Sequence, residues 1–189
     1  MIRQAKQEDA AAVIDLMYTA IGGIIHTLAG TDDVGDALQV LEAFFREKGN
    51  RISFENVMVI EEEGRVIAFM LAYHGSQAEA LDRPFLERLA AIGSTTRAIE
   101  REAREDEYYL DSVAVHADYQ GRGIGSELLR LFEQQASELG HDKIMLLVDQ
   151  ENTSAKQLYV KRGFTEDGVV QVSGHLFYRM IKRLNGLNV

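Results

Sequence analysis

The chain has 189 residues, 46% hydrophobic and 26% charged, with one proline and no cysteine. That length and mix indicate one folded domain, 1–189, and exclude a disordered chain. The absence of cysteine excludes disulfides, thiolate metal sites and a cysteine nucleophile. A formal net charge of −10 speaks against nucleic-acid or anionic-membrane binding, which needs basic patches, and inclines weakly toward cationic partners. The amino end, MIRQAKQEDAA, lacks the apolar core of a signal peptide, and no apolar run reaches membrane-spanning length; the expected compartment is the cytoplasm.

In chain order, Ile2 to Lys6 reads as a short strand, with Asp9 placed to cap a following helix. Val13, Ile14, Met17, Ile21, Ile24, Ile25 and Leu28 then recur at helical spacing, with a bend at Gly22-Gly23 and a stop at Gly30. Thr31-Asp32-Asp33 opens a second helix carrying Leu38, Leu41, Phe44 and Phe45. From Asn56 the period changes: VMVIEEEG and RVIAFMLAYHG form a hairpin turning at Glu62-Glu63-Gly64. Residues 76–106 have helical composition, with Phe85, Leu86, Leu89 and Ile92 on one face. The run EREAREDE within that span reads as a solvated helix surface.

The strand EYYLDSVAV follows, then the glycine turn YQGRGIG and a helix with Ile124, Leu128, Leu131, Phe132, Ala136 and Leu139 inward. KIMLLVD is a buried strand, NTSAKQLYVKRG a short helix whose Gly163 suits its C-terminal cap, and VVQV and HLFYRM two last strands. Strands alternating with helices predict an α/β mixed sheet covered on both faces, with a right-handed parallel crossover over 108–148.

YQGRGIG carries the chemistry. The dinucleotide pattern G-x-G-x-x-G fails because Ser126 stands where its third glycine belongs, and no glycine here is followed by the Lys-Ser or Lys-Thr of a P-loop. What remains is Gln120, Gly121-Arg122, Gly123, Ile124, Gly125, followed on the next helix by Asn152, Leu158-Tyr159 and Arg162-Gly163-Phe164. Together these resemble the GNAT family of acyl-coenzyme A-dependent N-acyltransferases. A glycine loop at a helix N-terminus aims free amides and the positive end of the helix dipole at an anion, and the glycines let it approach.

The resemblance implies the GNAT acyl-CoA N-acyltransferase fold with a helical insertion at about 76–106, and acetyl-CoA as co-substrate without a metal. It implies transfer of an acetyl group to a primary amine in a ternary complex. The alternative is a catalytically silent acyl-CoA-binding module. The residues it marks for the cofactor are Ser112, Val113 and Val115 on the strand, Gln120, Gly121, Arg122, Gly123, Ile124, Gly125 and Ser126 around the loop, and Asn152 and Tyr159 downstream. Tyr159 matches the family's general acid. Asp111 is the candidate base, on one face with Val113 and Val115 if no bulge intervenes, with Glu107 and His116 as alternatives. His26 reads as a packed residue. The acceptor, a small-molecule amine or a protein amino group, has no signature; neither nucleic acid nor membrane is expected, and a homodimer stays open.

Overall fold

The computed structural model describes residues 1–184. Thirteen principal elements follow one another as β1 (Ile2–Gln4), α1 (Ala10–Ile21), α2 (Ile24–Ala29), α3 (Val34–Arg46), β2 (Val57–Glu62), β3 (Arg65–His74), α4 (Ala78–Ala91), β4 (Tyr108–Val115), α5 (Ile124–Glu138), β5 (Lys143–Asp149), α6 (Thr153–Lys161), β6 (Thr165–Val172) and β7 (His175–Arg183). The seven strands form one sheet in the order β1-β2-β3-β4-β5-β7-β6. Only β4 and β5 run parallel, joined through α5 as expected for that crossover, while the other neighbours are antiparallel. No helix among the described residues is long and apolar enough to cross a membrane.

Alternation along the strands divides the core in two. Tyr73, Tyr109 and Met145 face the layer of α1, α2, α3 and Phe85 of α4, whereas Ala72, Tyr108, Leu110 and Leu146 face α5 and Tyr159 of α6. Phe44 and Phe85 stack at 4.1 Å in the first layer, and Phe132 stacks on Tyr108 at 5.4 Å in the second. Each such fully buried side chain contributes about 1.5–3 kcal/mol.

Several local expectations are corrected. Gly22-Gly23 does more than bend the first helix: it divides α1 from α2. Asp9 does not cap α1 with its side chain; its carboxylate accepts from the Lys6 amide and forms a two-pronged ion pair with Arg3, a stronger set of partners than one helical amide. Ile92 and Leu139 lie exposed beyond the last turns of their helices. The charged run is not a helix. Residues 92–107 carry no regular structure, and Glu107 within them is fully buried, held by Arg179 Nη2 at 2.6 Å and Lys143 Nζ at 3.1 Å. Burial works against its charge, but the Arg104 amide and those two cations overcome it and hold the carboxyl below the usual range.

Candidate active site

The site forms where β4 and β5 part. They pair only through Tyr108–Ile144, Tyr109–Met145 and Leu110–Leu146. Beyond that point a bulge sits in β4: Leu71 pairs with Ser112 and Ala72 with Leu110, leaving Asp111 as the extra residue. The bulge reverses the alternation. Asp111 therefore faces the α1–α2 layer with Tyr109, while Val113 and Val115 face the α5 layer, so the expected shared face of Asp111, Val113 and Val115 does not exist.

His116 N donates to Ile67 O at 2.8 Å. By the alternation of an antiparallel ladder, the amides of Val113 and Val115 then face the gap between β4 and β5, and that of Ser112 faces β3. Ser112 presents its hydroxyl to the site instead of its amide, a correction to its expected backbone role. The Val115 carbonyl already accepts from Gln120 Nε2 at 3.1 Å.

One cavity, of about 530 Å³, follows the glycine turn and the start of α5 to α6; Val113, Val115, Gln120, Gly121, Gly123 and Tyr159 are among its walls. Gly121 and Gly123 have φ of 77° and 81°, which an L side chain resists, and a Cβ built on 121, 123 or 125 meets no atom within 4 Å. Among the described residues, none occupies the space above these glycines. The amides from Gly121 to Ser126 donate to no acceptor among the described residues, and the first helical bond is Glu127 N to Gly123 O, 3.1 Å. These free donors at the start of a fifteen-residue helix form an anion cradle that fits a pyrophosphate. Ile124 roots the turn in the core, and the Ser126 carbonyl accepts from Arg162 Nη2 at 2.8 Å, tying α5 to the end of α6. The Arg122 guanidinium lies over the ring of Tyr119, itself a wall of this cavity, at 4.7 Å.

A second cavity, of about 190 Å³, lies between β4, α1 and α2, and meets the first at Ala20, Val113, Asn152, Ala155 and Tyr159. Tyr159 is buried against Phe164, its pKa raised by desolvation, so the phenol keeps its proton at neutral pH. Asn152 caps α6, its Oδ1 accepting from the Ala155 amide at 3.1 Å, while still lining both cavities.

The second cavity holds a charged cluster of which sequence reasoning named only Asp111. Arg51 Nε donates to Asp111 Oδ2 and Arg51 Nη2 to Glu102 Oε1, both at 2.6 Å. Asp82 lies 3.7 Å from Nη1, the Tyr73 hydroxyl donates to Asp111 Oδ2 at 2.9 Å, and the Tyr109 hydroxyl donates to Glu102. Burial pushes the Asp111 carboxyl up; Arg51 opposes this and Glu102 adds to it. Asp82 is pushed up to about 6, again mainly by burial. Beyond Asp111, the one trace of this cluster in the chain is the run EREAREDE, which reads as solvent-facing charge; Arg51 sits in a loop without periodicity. The other candidate bases lie elsewhere: Glu107 is locked to Arg179 and Lys143, and His116 accepts from the Asp118 amide. His26 bonds the Thr31 carbonyl through Nδ1 at 2.9 Å, closing the turn after α2.

Residues 32–164 match the Acetyltransferase (GNAT) family. The chain belongs to that family. It is 32% identical over 80 residues to N-acetyltransferase family 8 member 2 of Rattus norvegicus, a match covering 42% of this chain and 33% of that protein; the chain thus spans about a third of that relative's length. Among solved structures, one described as an acetyltransferase superposes with a TM-score of 0.81 at 28% identity over 98% of this chain and 100% of its own. The N-acetyltransferase from Staphylococcus aureus Mu50 superposes at 0.79 with 26% identity, over 96% and 100%. The mixed seven-stranded sheet is therefore a GNAT sheet, and its gap between β4 and β5 lies inside the matched span. The wall supplied by α1 and α2 lies outside it.

Proposed function

We propose that this GNAT protein is an acetyl-CoA-dependent N-acetyltransferase that passes an acetyl group directly to a primary amine in a ternary complex. The observation carrying the proposal is that the cavity over the anion cradle and the cavity lined by Asp111 meet at Tyr159. The chain acts as one catalytic domain, with residues 76–106 as an addition on the acceptor side.

Acetyl-CoA supplies an acyl group already activated as a thioester. The amides of residues 121–126 would hold its pyrophosphate, aided by the α5 dipole. The amides of Val113 and Val115, on the open edge of β4, and the Asn152 side chain would hold its pantetheine arm, and the Val113 amide would stabilise a developing oxyanion. On the acceptor side Asp111 takes a proton from the amine, burial having raised its proton affinity above that of an ordinary carboxylate. Tyr159 holds its phenolic proton at the junction, available to a departing thiolate. With no cysteine in the chain, direct transfer requires no acyl-enzyme.

Two substitutions test the assignment in a thiol-release assay run beside calorimetric titration of coenzyme A. Tyr159→Phe is expected to lower kcat by roughly 10²-fold or more, the usual worth of a positioned acid, and to leave coenzyme A affinity within a few-fold. Gly125→Val, at a position with ordinary φ and open space, is expected to fold normally and lose coenzyme A binding. Unchanged kcat in the first removes the acid role of Tyr159; wild-type affinity in the second removes the cradle. Coenzyme A binding without thiol release from any amine would instead favour a silent binding module.

A further inference from the structure

The irregular segment 92–107 runs as a strap from α4 to β4 and contributes Glu102 to the wall of the cavity beside Asp111. Backbone contacts help fasten the strap: Ser173 N donates to Glu100 Oε2 (2.8 Å), Arg179 Nη1 to the Glu102 carbonyl (2.7 Å), and Gly75 N to Glu107 O (2.7 Å). So fastened, it sets the Glu102 carboxylate into the cavity. A further hollow of about 220 Å³ continues outward between α2, the strap and the β6–β7 turn, and shares Arg51 and Glu102 with the inner cavity. Glu102 stands at the neck between them.

Among the described residues, Arg51 is the only cationic side chain lining either hollow, against the acids Glu100, Glu102, Asp111 and Asp149. Its guanidinium is already shared among Asp82, Glu102 and Asp111. Buried carboxylates short of counter-charge are costly, and a bound cation relieves that cost. An independent sign comes from Ser112, only 5% exposed, which lines the same cavity with a hydroxyl oxygen that has no hydrogen-bond partner. Such a buried, unpaired hydroxyl is uncommon in a folded protein. The facing wall, from Met17, Ile21, Ile24 and Leu28, is apolar.

The geometry points to Glu102 as the residue that selects the acceptor, a small cationic primary amine with an apolar body whose nitrogen is taken among Glu102, Asp111 and the Ser112 hydroxyl. Each hollow is smaller than the roughly 300–1,000 Å³ of pockets for drug-sized ligands, which suits a small amine. The inference rests on the acetyltransferase reading for the fate of the amine, but not for its binding.

The test is calorimetric titration of the full chain with 2-phenylethylamine and n-hexylamine, with 2-phenylethanol as the uncharged counterpart and tetra-alanine as a peptide amine. Wild-type protein and Glu102→Gln are compared; glutamine retains the shape, and the coenzyme A affinity and Tm of the variant check that the fold is intact. At least one of the two amines is expected to bind, the alcohol not to bind, and Glu102→Gln to weaken the amine at least tenfold with coenzyme A affinity unchanged. Equal binding by the variant, equal binding of the alcohol, tighter binding of the peptide, or no binding of either amine would overturn the inference. Thiol release is recorded in the same samples. Amine binding that depends on Glu102 without thiol release would leave this inference standing and remove the acetyltransferase reading instead.

Discussion

At the level of single residues, the acceptor side is built on tension between burial and charge. Asp82 is the clearest instance: buried, 3.7 Å from Arg51, with Oδ1 lacking a hydrogen bond and a carboxyl pushed up to about 6. An acid whose folded pKa exceeds its unfolded value near 3.8 binds more protons when folded. Its contribution to stability is therefore greatest at low pH and is lost as pH rises from about 4 through 6. Asp82→Asn should remove that loss. We expect it to stabilise the protein at pH 8 by up to about 3 kcal/mol, the free energy of a shift of that size, and to change little at pH 3.5. Urea unfolding at the two pH values checks this, and an equal effect at both would refute it. Asp111 shows why one residue can be named from sequence yet misplaced: its identity was evident, but the bulge opposite Leu71 and Ala72 turns it to the other face, and strict alternation gives no sign of one inserted residue.

Among the elements, those built from contiguous chain were the legible ones. The glycine turn and α5 are neighbours in sequence, so the cradle could be read without knowing the fold, and the same holds for Tyr159 on α6. The strap was opaque because its partners are remote: Glu102 meets Arg51 and Tyr109, and Glu107 meets Arg179 and Lys143, none of them implied by local spacing. Its seating against the end of β3 depends on Gly75. A Cβ there would stand 1.9 Å from the Arg104 carbonyl oxygen, a backbone atom that cannot swing aside. Gly75→Ala is expected to cost roughly 1–3 kcal/mol, typical of overpacking. It should also raise KM for the amine several-fold while coenzyme A affinity holds, because the strap shifts and carries Glu102 with it. Loss of coenzyme A binding together with amine binding would show that the strap supports the whole sheet and not the acceptor side alone.

For the molecule as a whole, the division of the core by the sheet was foreseeable from period-two and helical patterns, and so was the parallel crossover that parts β4 from β5. What those patterns do not encode is how the two cavities reach the surface. One runs along the start of α5 and α6; the other passes under the strap beside α2 and the β6–β7 turn. Among the described residues they touch at Ala20, Val113, Asn152, Ala155 and Tyr159. Two doors on one reaction chamber mean that neither visitor has to wait for the other, on arrival or on departure. Steady-state kinetics should accordingly be random-order, with intersecting initial-velocity lines and coenzyme A competing with acetyl-CoA but not with the amine; strict ordering, in which one substrate binds only after the other, would mean that one door opens only when the other is filled.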